Sequence, residues 1–473
     1  MAILKFVFII LEVLLLFNLL IFVHELGHFL AARWRGLHVE RFAIWFGKPI
    51  WSRKYKGVEY AIGYIPAGGY VSLPQMATME TIEGKTEGRS EPLPQISALD
   101  KIIVAFAGPL FSFLLALAFA VIVMTVGRPV SEAETTTTIG YVEEGGPADK
   151  AGLRAGDRIV SVDGKPVSKF GGMGDSVTWR VVRSEGATVQ VQVVRDGQTV
   201  TVHPAPVKEA TKVWQRKGLR QIKIAPAQSA IIAEIATNSP AARAGLKPGD
   251  EILSVNGNKL YHFAGLADYI EDHPKEALTL DLLRGKETFQ ISVKPEQPVS
   301  PPSEAPRVGI LWDSAGKTTL AYPNAVEQVR ASVMAMVDTF GALLAKNSDI
   351  KPQHLGGAVK IMDVYYRLFD SEQGWRLALW FSVLMNVNLA ILNMLPIPVL
   401  DGGHILLAII EGIRKKPISA RVVGYIQTAC AVLLIGFMVY ISFYDVQELP
   451  WKREKQKSTQ VIFAPKPEAP AVK

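Results

Sequence analysis

Cysteine is almost absent. The 473 residues hold one, Cys430, so there is neither an internal disulfide framework nor a cysteine-rich zinc site. Cys430 lies in an apolar run and reads as inert packing. A strong excess of one charge is also missing. Fifty-one Lys+Arg face 44 Asp+Glu, a formal +7, and the basic residues form no patch interleaved with aromatics. They read as loop charges near membrane ends, not as a nucleic-acid footprint. With 49% hydrophobic residues and a mean hydropathy of +0.20, the chain is too apolar for a disordered one. With 20% charged residues it is too charged for a many-span transporter. The averages fit a mixture of membrane spans and soluble modules, about three domains by length.

A helix crossing a bilayer needs about 20 mostly apolar residues. Four stretches qualify, at 3–32, 102–126, 377–395 and 422–444. A shorter apolar piece, 405–410, is expected to continue or re-enter beside the third. The first stretch has one early basic residue, Lys5, and no small-x-small cleavage site, so it reads as a retained anchor. Arg33, Arg35 and Arg41 follow it. The positive-inside rule then puts the 33–101 loop in the cytoplasm and both termini outside. Six Lys/Arg in the tail from Asp445 point the other way.

The soluble part lies between spans two and three and contains a repeat. Residues 146–167 align without gaps on 239–260, with 11 of 22 positions identical. Each copy has a short helix, a Gly-Leu-x-x-Gly-Asp run and an alternating strand closed by Asp163-Gly164 or Asn256-Gly257. This pattern resembles a pair of bacterial PDZ domains, which offer a groove where an extended peptide adds as a strand. Thr138–Val142 and Ser229–Ile235 are the expected groove segments. Prolines 295, 298, 301, 302 and 306 mark a linker. Val326, Val329, Val333, Val337, Phe340 and Leu344 then recur at helical spacing, an amphipathic helix for a membrane surface or a protein face.

The fold class is therefore a multi-pass α-helical membrane protein of four spans, with residues 58–72 alternating like a β-hairpin, plus two tandem PDZ-like α+β domains. The expected divisions are 1–126 (membrane core), 127–222 (first PDZ), 223–298 (second PDZ), 299–375 (linker and amphipathic helix), 376–446 (membrane core) and 447–473 (polar tail).

The first span ends in His24-Glu25-Leu26-Gly27-His28. Positions i and i+4 of a helix share a face, so both imidazoles can meet one zinc ion, and Glu25 can act as general base. Ionisable groups inside a span are costly unless paired or liganded. A third protein ligand is needed. Asp401, in Asn393-Met-Leu-Pro-Ile-Pro-Val-Leu-Asp-Gly-Gly-His404, is the best candidate, because its prolines break the span and its glycines allow close approach. His404 ranks second. Asn393 and Asn388 can bond a substrate backbone or their own helix.

A His-Glu-x-x-His in a span, a distant Leu-Asp-Gly after Asn-x-x-Pro-x-Pro, four spans and paired PDZ repeats together resemble the site-2 protease family, and the likeness covers nearly the whole chain. It implies zinc on His24, His28 and Asp401, with Glu25 as catalytic base. It implies that Asn393 touches the substrate backbone and that the active site faces the cytoplasm. It also implies single-pass membrane substrates already trimmed by another protease, such as anti-sigma-factor-like proteins, and signal-peptide remnants. The setting would be a bacterial inner membrane, with the PDZ pair on the periplasmic side screening substrates by size in an envelope stress response. Residues 58–72 resemble the family's membrane-associated hairpin. Gly68, Gly69 and Tyr70 on it, with Pro396 and Pro398, complete the candidate substrate contacts. Leu355-Gly-Gly-Ala358 has alanine where the family has proline. Gly108-Pro109-Leu-Phe-Ser112 has serine where the family has asparagine, and no family role passes to Ser112. Two rivals remain: a zincin taking its third ligand from a glutamate, and a non-enzymatic PDZ scaffold with a vestigial site.

Overall fold

The computed structural model describes residues 2–76, 96–300, 305–416, 418–449 and 461–464. The chain divides into two compact units. One comprises Met1–Arg128, Ala321–Val337 and Leu355–Val446; the other comprises Pro129–Leu320, Asp338–His354 and Gln447–Lys473.

Among the described residues, seven helices of eight or more residues lie wholly or partly in the first unit: α1 (Ala2–Trp34), α2 (Ala98–Val126), α3 (Ala325–Leu344), α4 (Ala358–Asp370), α5 (Gly374–Asn393), α6 (Asp401–Arg414) and α7 (Ala420–Gln447). Four are long and apolar enough to cross a membrane: α1, α2, α5 and α7. On α1, Ile9, Val13, Leu16 and Leu20 recur every three or four residues and are buried against Ala116, Phe119 and Ala120 of α2 and Val383 and Val387 of α5. The opposite face stays apolar and uncovered, with Leu4 at 76% and Leu15 at 71% exposure. An apolar face of that extent belongs against lipid, not water. Small residues let α1 and α2 approach closely. A Cβ on Gly27 would strike the Ala107 carbonyl.

Helix ends are set by side chains. Ser97 and Asp100 form a capping box at the start of α2. Arg35, just past α1, donates to Asp100 at 2.6 Å. Asp445, buried near the end of α7, accepts from the Gly357 and Lys360 amides at 2.9 and 3.1 Å and so caps α4 from another helix. Ala358 is the first residue of α4, a position that tolerates proline because its N–H has no intrahelical partner.

Between α1 and α2, β1 (Arg41–Tyr55) and β2 (Val58–Ser72) form a hairpin; the hairpin expected within 58–72 is thus a single strand of a wider one. Lys56 and Gly57 turn it with positive φ. The pairing is irregular, and Ile44 faces both Ile62 and Gly69. Residues 41–44 and 51–55 of β1 both pair with residues 58–62 of β2.

In the second unit the two repeat copies build matching sheets. Arg158–Val162 pairs with Lys165–Pro166 and Val191–Arg195; Glu251–Val255 pairs with Asn258–Lys259 and Leu278–Arg284. The repeated Gly-Asp aspartates are structural. Arg195 forks onto Asp157 at 2.7 and 2.6 Å, and Arg284 onto Asp250 at 2.6 and 2.7 Å. Burial opposes ionisation of Asp250, but the Arg284 fork and the Lys247 amide outweigh it and hold the carboxyl below its usual range.

Two expectations change, the open edges and the place of residues 405–410. The edges expected to be open, Thr138–Val142 and Ser229–Ile235, are largely taken: Ile224–Pro226 pairs with Ile139–Val142, and Ile310–Trp312 pairs with Ala230–Ile235. The sequence-drawn divisions at 222 and 298 fall just before these closing strands. The 405–410 piece belongs to α6, which packs against α2 and not beside the third span. On α3 only Val329 and Val333 of the apolar series join the membrane core, whereas Val326, Val337 and Leu344 are exposed.

Candidate metal centre

Two helices converge. His24 and His28 lie one turn apart on α1, and Asp401 is the first residue of α6. All three side chains are buried. His24 Nε2 lies 3.3 Å from His28 Nε2 and 3.2 Å from Asp401 Oδ2, and His28 Nε2 lies 3.3 Å from Asp401 Oδ1. Ligands at about 2.05 Å around a tetrahedral zinc stand about 3.3 Å apart, so the spacing fits. Among the described residues this is the one group of His, Cys, Asp and Glu side chains suited to a metal ion.

The hydrogen bonds behind the ligands favour the same reading. His28 Nδ1–H donates to the Val104 carbonyl at 2.8 Å. A carbonyl only accepts, so Nε2 is left with its lone pair turned inward. His24 Nδ1 lies 3.0 Å from Ser112 Oγ, a fully buried hydroxyl that can accept its proton in the same way. Asp401 Oδ2 is buried without a hydrogen bond. Two imidazole lone pairs and a carboxylate facing one another repel unless a cation lies between them. The α6 N-terminus adds a partial positive charge beside Asp401.

Glycines make room. A Cβ on Gly108 of α2 would collide with both imidazoles at Nε2, and Cβ atoms on Gly402 and Gly403 would strike the Met394 and Ile397 carbonyls. The loop 394–400 therefore folds tightly and delivers Asp401.

The other expected residues divide. Asn393 comes to the site, with Nδ2 3.3 Å from His24 Nε2. Gly69 also does: its position abuts Glu25 Cγ and Ile21. Gly68 has φ +75° and faces the Phe46 ring. The Tyr70 ring is buried in the sheet against Phe46, and its hydroxyl accepts from Arg41 at 3.1 Å. That side chain is core, so only its backbone is available to a substrate. Pro398 is tied through its carbonyl to Gln427 of α7 at 3.1 Å, and Pro396 is exposed. His404 is not part of the three-ligand group. Sequence reasoning singled out Gly108 and Ser112 as a departure from the family but gave them no role, and it missed the Val104 carbonyl. The spacing Gly108-x-x-x-Ser112 puts those two on one helix face and was the available signal.

The sequence model of peptidase family M50 matches residues 12–437. A candidate zinc metalloprotease of Neisseria meningitidis is 30% identical over 452 residues, 91% of this chain and 97% of its own. Protease RseP of Yersinia pestis is 30% identical over 454 residues, and the regulator of sigma-E protease RseP of Escherichia coli 28% over 459, each with the same two coverages. A solved PDZ domain of an SdrC-like protein from Listeria monocytogenes covers 19% of this chain and 93% of its own, at 22% identity and a TM-score of 0.16; at that score it carries no argument. The family match over most of the chain and the near full-length relatives agree with the site's geometry: the chain belongs to peptidase family M50 and is an integral-membrane zinc metalloprotease of the site-2 type.

Proposed function

We propose that this protease hydrolyses peptide bonds within the transmembrane segments of single-pass membrane proteins, with His24, His28 and Asp401 as zinc ligands and Glu25 as general base. The observation that carries this is the convergence of two imidazole Nε2 atoms and one carboxylate at 3.2–3.3 Å on helices whose outer faces are apolar. Bound zinc supplies a Lewis acid that polarises a carbonyl and acidifies water.

The chain's own residues do the rest. Glu25 takes the proton of the attacking water and delivers it to the leaving amine nitrogen. Val104 and Ser112 hold the imidazole tautomers. The Asn393 amide, next to His24, is placed to donate to a substrate carbonyl. A transmembrane helix shields its peptide bonds by i to i−4 bonding and must unwind before it is cut. Gly69, at the strand end beside Glu25, offers a backbone edge on which an unwound segment can add. Pro396 and Pro398 shape the opposite side of that approach.

The natural substrates in this reading are anti-sigma-factor-like proteins already trimmed outside, together with signal-peptide remnants; one relative is named regulator of sigma-E protease. The protein resides in the bacterial inner membrane. The two repeat sheets act as a PDZ-type pair on the periplasmic side that screens substrates by size. A membrane cleavage assay tests this, with a reporter segment carrying either a short or a bulky outer domain. Mass spectrometry of the products should place the cut inside the apolar segment, with the bulky form spared. A cut confined to the soluble flank would refute the reading.

A further inference from the structure

The described part of the C-terminal tail, residues 461–464, pairs with residues 299–300, in the segment between the strands Glu287–Val293 and Ile310–Trp312 of the second repeat sheet. Ile462 N–H donates to the Ser300 carbonyl at 2.8 Å, and the Ile462 carbonyl accepts from Val299 N–H at 2.7 Å, an antiparallel bridge. Next to it, Glu296 and Arg307 exchange backbone bonds at 3.0 and 2.8 Å. Phe463 is 2% exposed. Its ring packs at Gly309, where a Cβ would strike both that ring and Ser239. Gly309 directly precedes the closing strand Ile310–Trp312. Val461 and Ile462 line a cavity of about 1390 Å³ together with Arg307, Ile310, and Leu266 and Ile270 of the helix Ala264–Asp272.

Main-chain pairing to residues 299–300 plus one buried aromatic anchor, Phe463, holds the segment as an extended peptide would be held. The near end of the tail is fixed as well: Arg216 donates to Glu448 at 2.9 Å, and Leu449 is buried. Residues 450–460 then bridge at most about 40 Å at about 3.5 Å per residue. A tether of that length keeps the local concentration of Phe463 high, on the order of millimolar.

We propose that Val461–Phe463 is an intramolecular ligand of the second repeat sheet, packing at Gly309 and excluding free peptide of the same sequence. The docking requires the C-terminus to lie on the same side of the membrane as the sheets. Four spans give that side, so the six tail Lys/Arg do not set the orientation.

Two arms test the proposal. In full-length chain carrying Cys430→Ser, the pair Ser300→Cys and Ile462→Cys should close a disulfide nearly completely under mild oxidation. In the second arm, a labelled synthetic peptide of residues 457–468 should bind a chain truncated after Leu449. It should bind the intact chain at least tenfold more weakly. The same peptide with Phe463→Asp should lose at least tenfold on the truncated chain. Absence of the disulfide, or equal binding by intact and truncated chains, would overturn the proposal.

Discussion

Ser112 Oγ lies 3.0 Å from His24 Nδ1, at the bottom of a site whose other histidine is held by the Val104 carbonyl. The serine stands where the family has asparagine, yet its short side chain reaches the ring because α1 and α2 are in close contact at Gly27. Outer partners of this kind are worth about 10- to 100-fold in metal affinity. Ser112→Ala removes one buried oxygen and little volume. It should weaken zinc binding at least about tenfold, measured by competition with a chelator, while the α-helical circular dichroism stays unchanged.

Gly108→Ala should be more severe. The added Cβ meets both imidazoles, so the variant should purify without stoichiometric zinc. Gly424→Ala is the control. Its Cβ meets open space on α7, and replacing a helical glycine should raise stability by about 0.5–1 kcal/mol with zinc content unchanged.

The repeated aspartates predict a stability effect without a catalytic one. Arg284→Ala leaves Asp250 buried with the Lys247 amide but without its cation. A buried carboxylate that loses its cation is destabilising, so the second sheet should be less stable. Hydrogen exchange in Leu278–Val293 should accelerate, while zinc content stays at wild-type level.

His262 predicts a pH dependence. Burial holds its imidazole below the usual pKa, and Nδ1 accepts from the Ala264 amide at 3.1 Å. Protonation would set N–H against N–H. A histidine whose pKa is lowered by folding binds its proton more readily when unfolded, so stability falls as pH drops below about 6.5. Asp250, lowered in the same unit, adds a second loss at more acidic pH, below about 4. The thermal midpoint of the full chain should fall between pH 7 and 5, and His262→Phe should flatten that part of the curve.

Much of this was legible in the residues. His24, Glu25 and His28 are local: a helix with i, i+4 histidines needs no tertiary information. Asp401 was readable because prolines and glycines announce a broken helix at membrane depth. The aligned repeat gave the strands around Asp163-Gly164 and Asn256-Gly257. What stayed hidden depends on long-range packing. Ile224–Pro226 and Ile310–Trp312 are short strands outside the repeat, and only their pairing to Ile139–Val142 and Ala230–Ile235 identifies them. Tyr70 lies in the right segment, but the pleat turns its ring into the core. α6 is amphipathic and polar at its start, so its place against α2 is set by contacts such as Lys101–Glu411 at 2.7 Å and not by hydropathy.

The central claim is that Glu25 moves the proton while His24, His28 and Asp401 hold the metal. It is tested most directly by measuring zinc stoichiometry and reporter-segment cleavage together on Glu25→Gln and Asp401→Ala. The account predicts about one zinc per chain and no cleavage for Glu25→Gln, and loss of both for Asp401→Ala. Cleavage at the wild-type rate by Glu25→Gln, or full zinc content in Asp401→Ala, would contradict it.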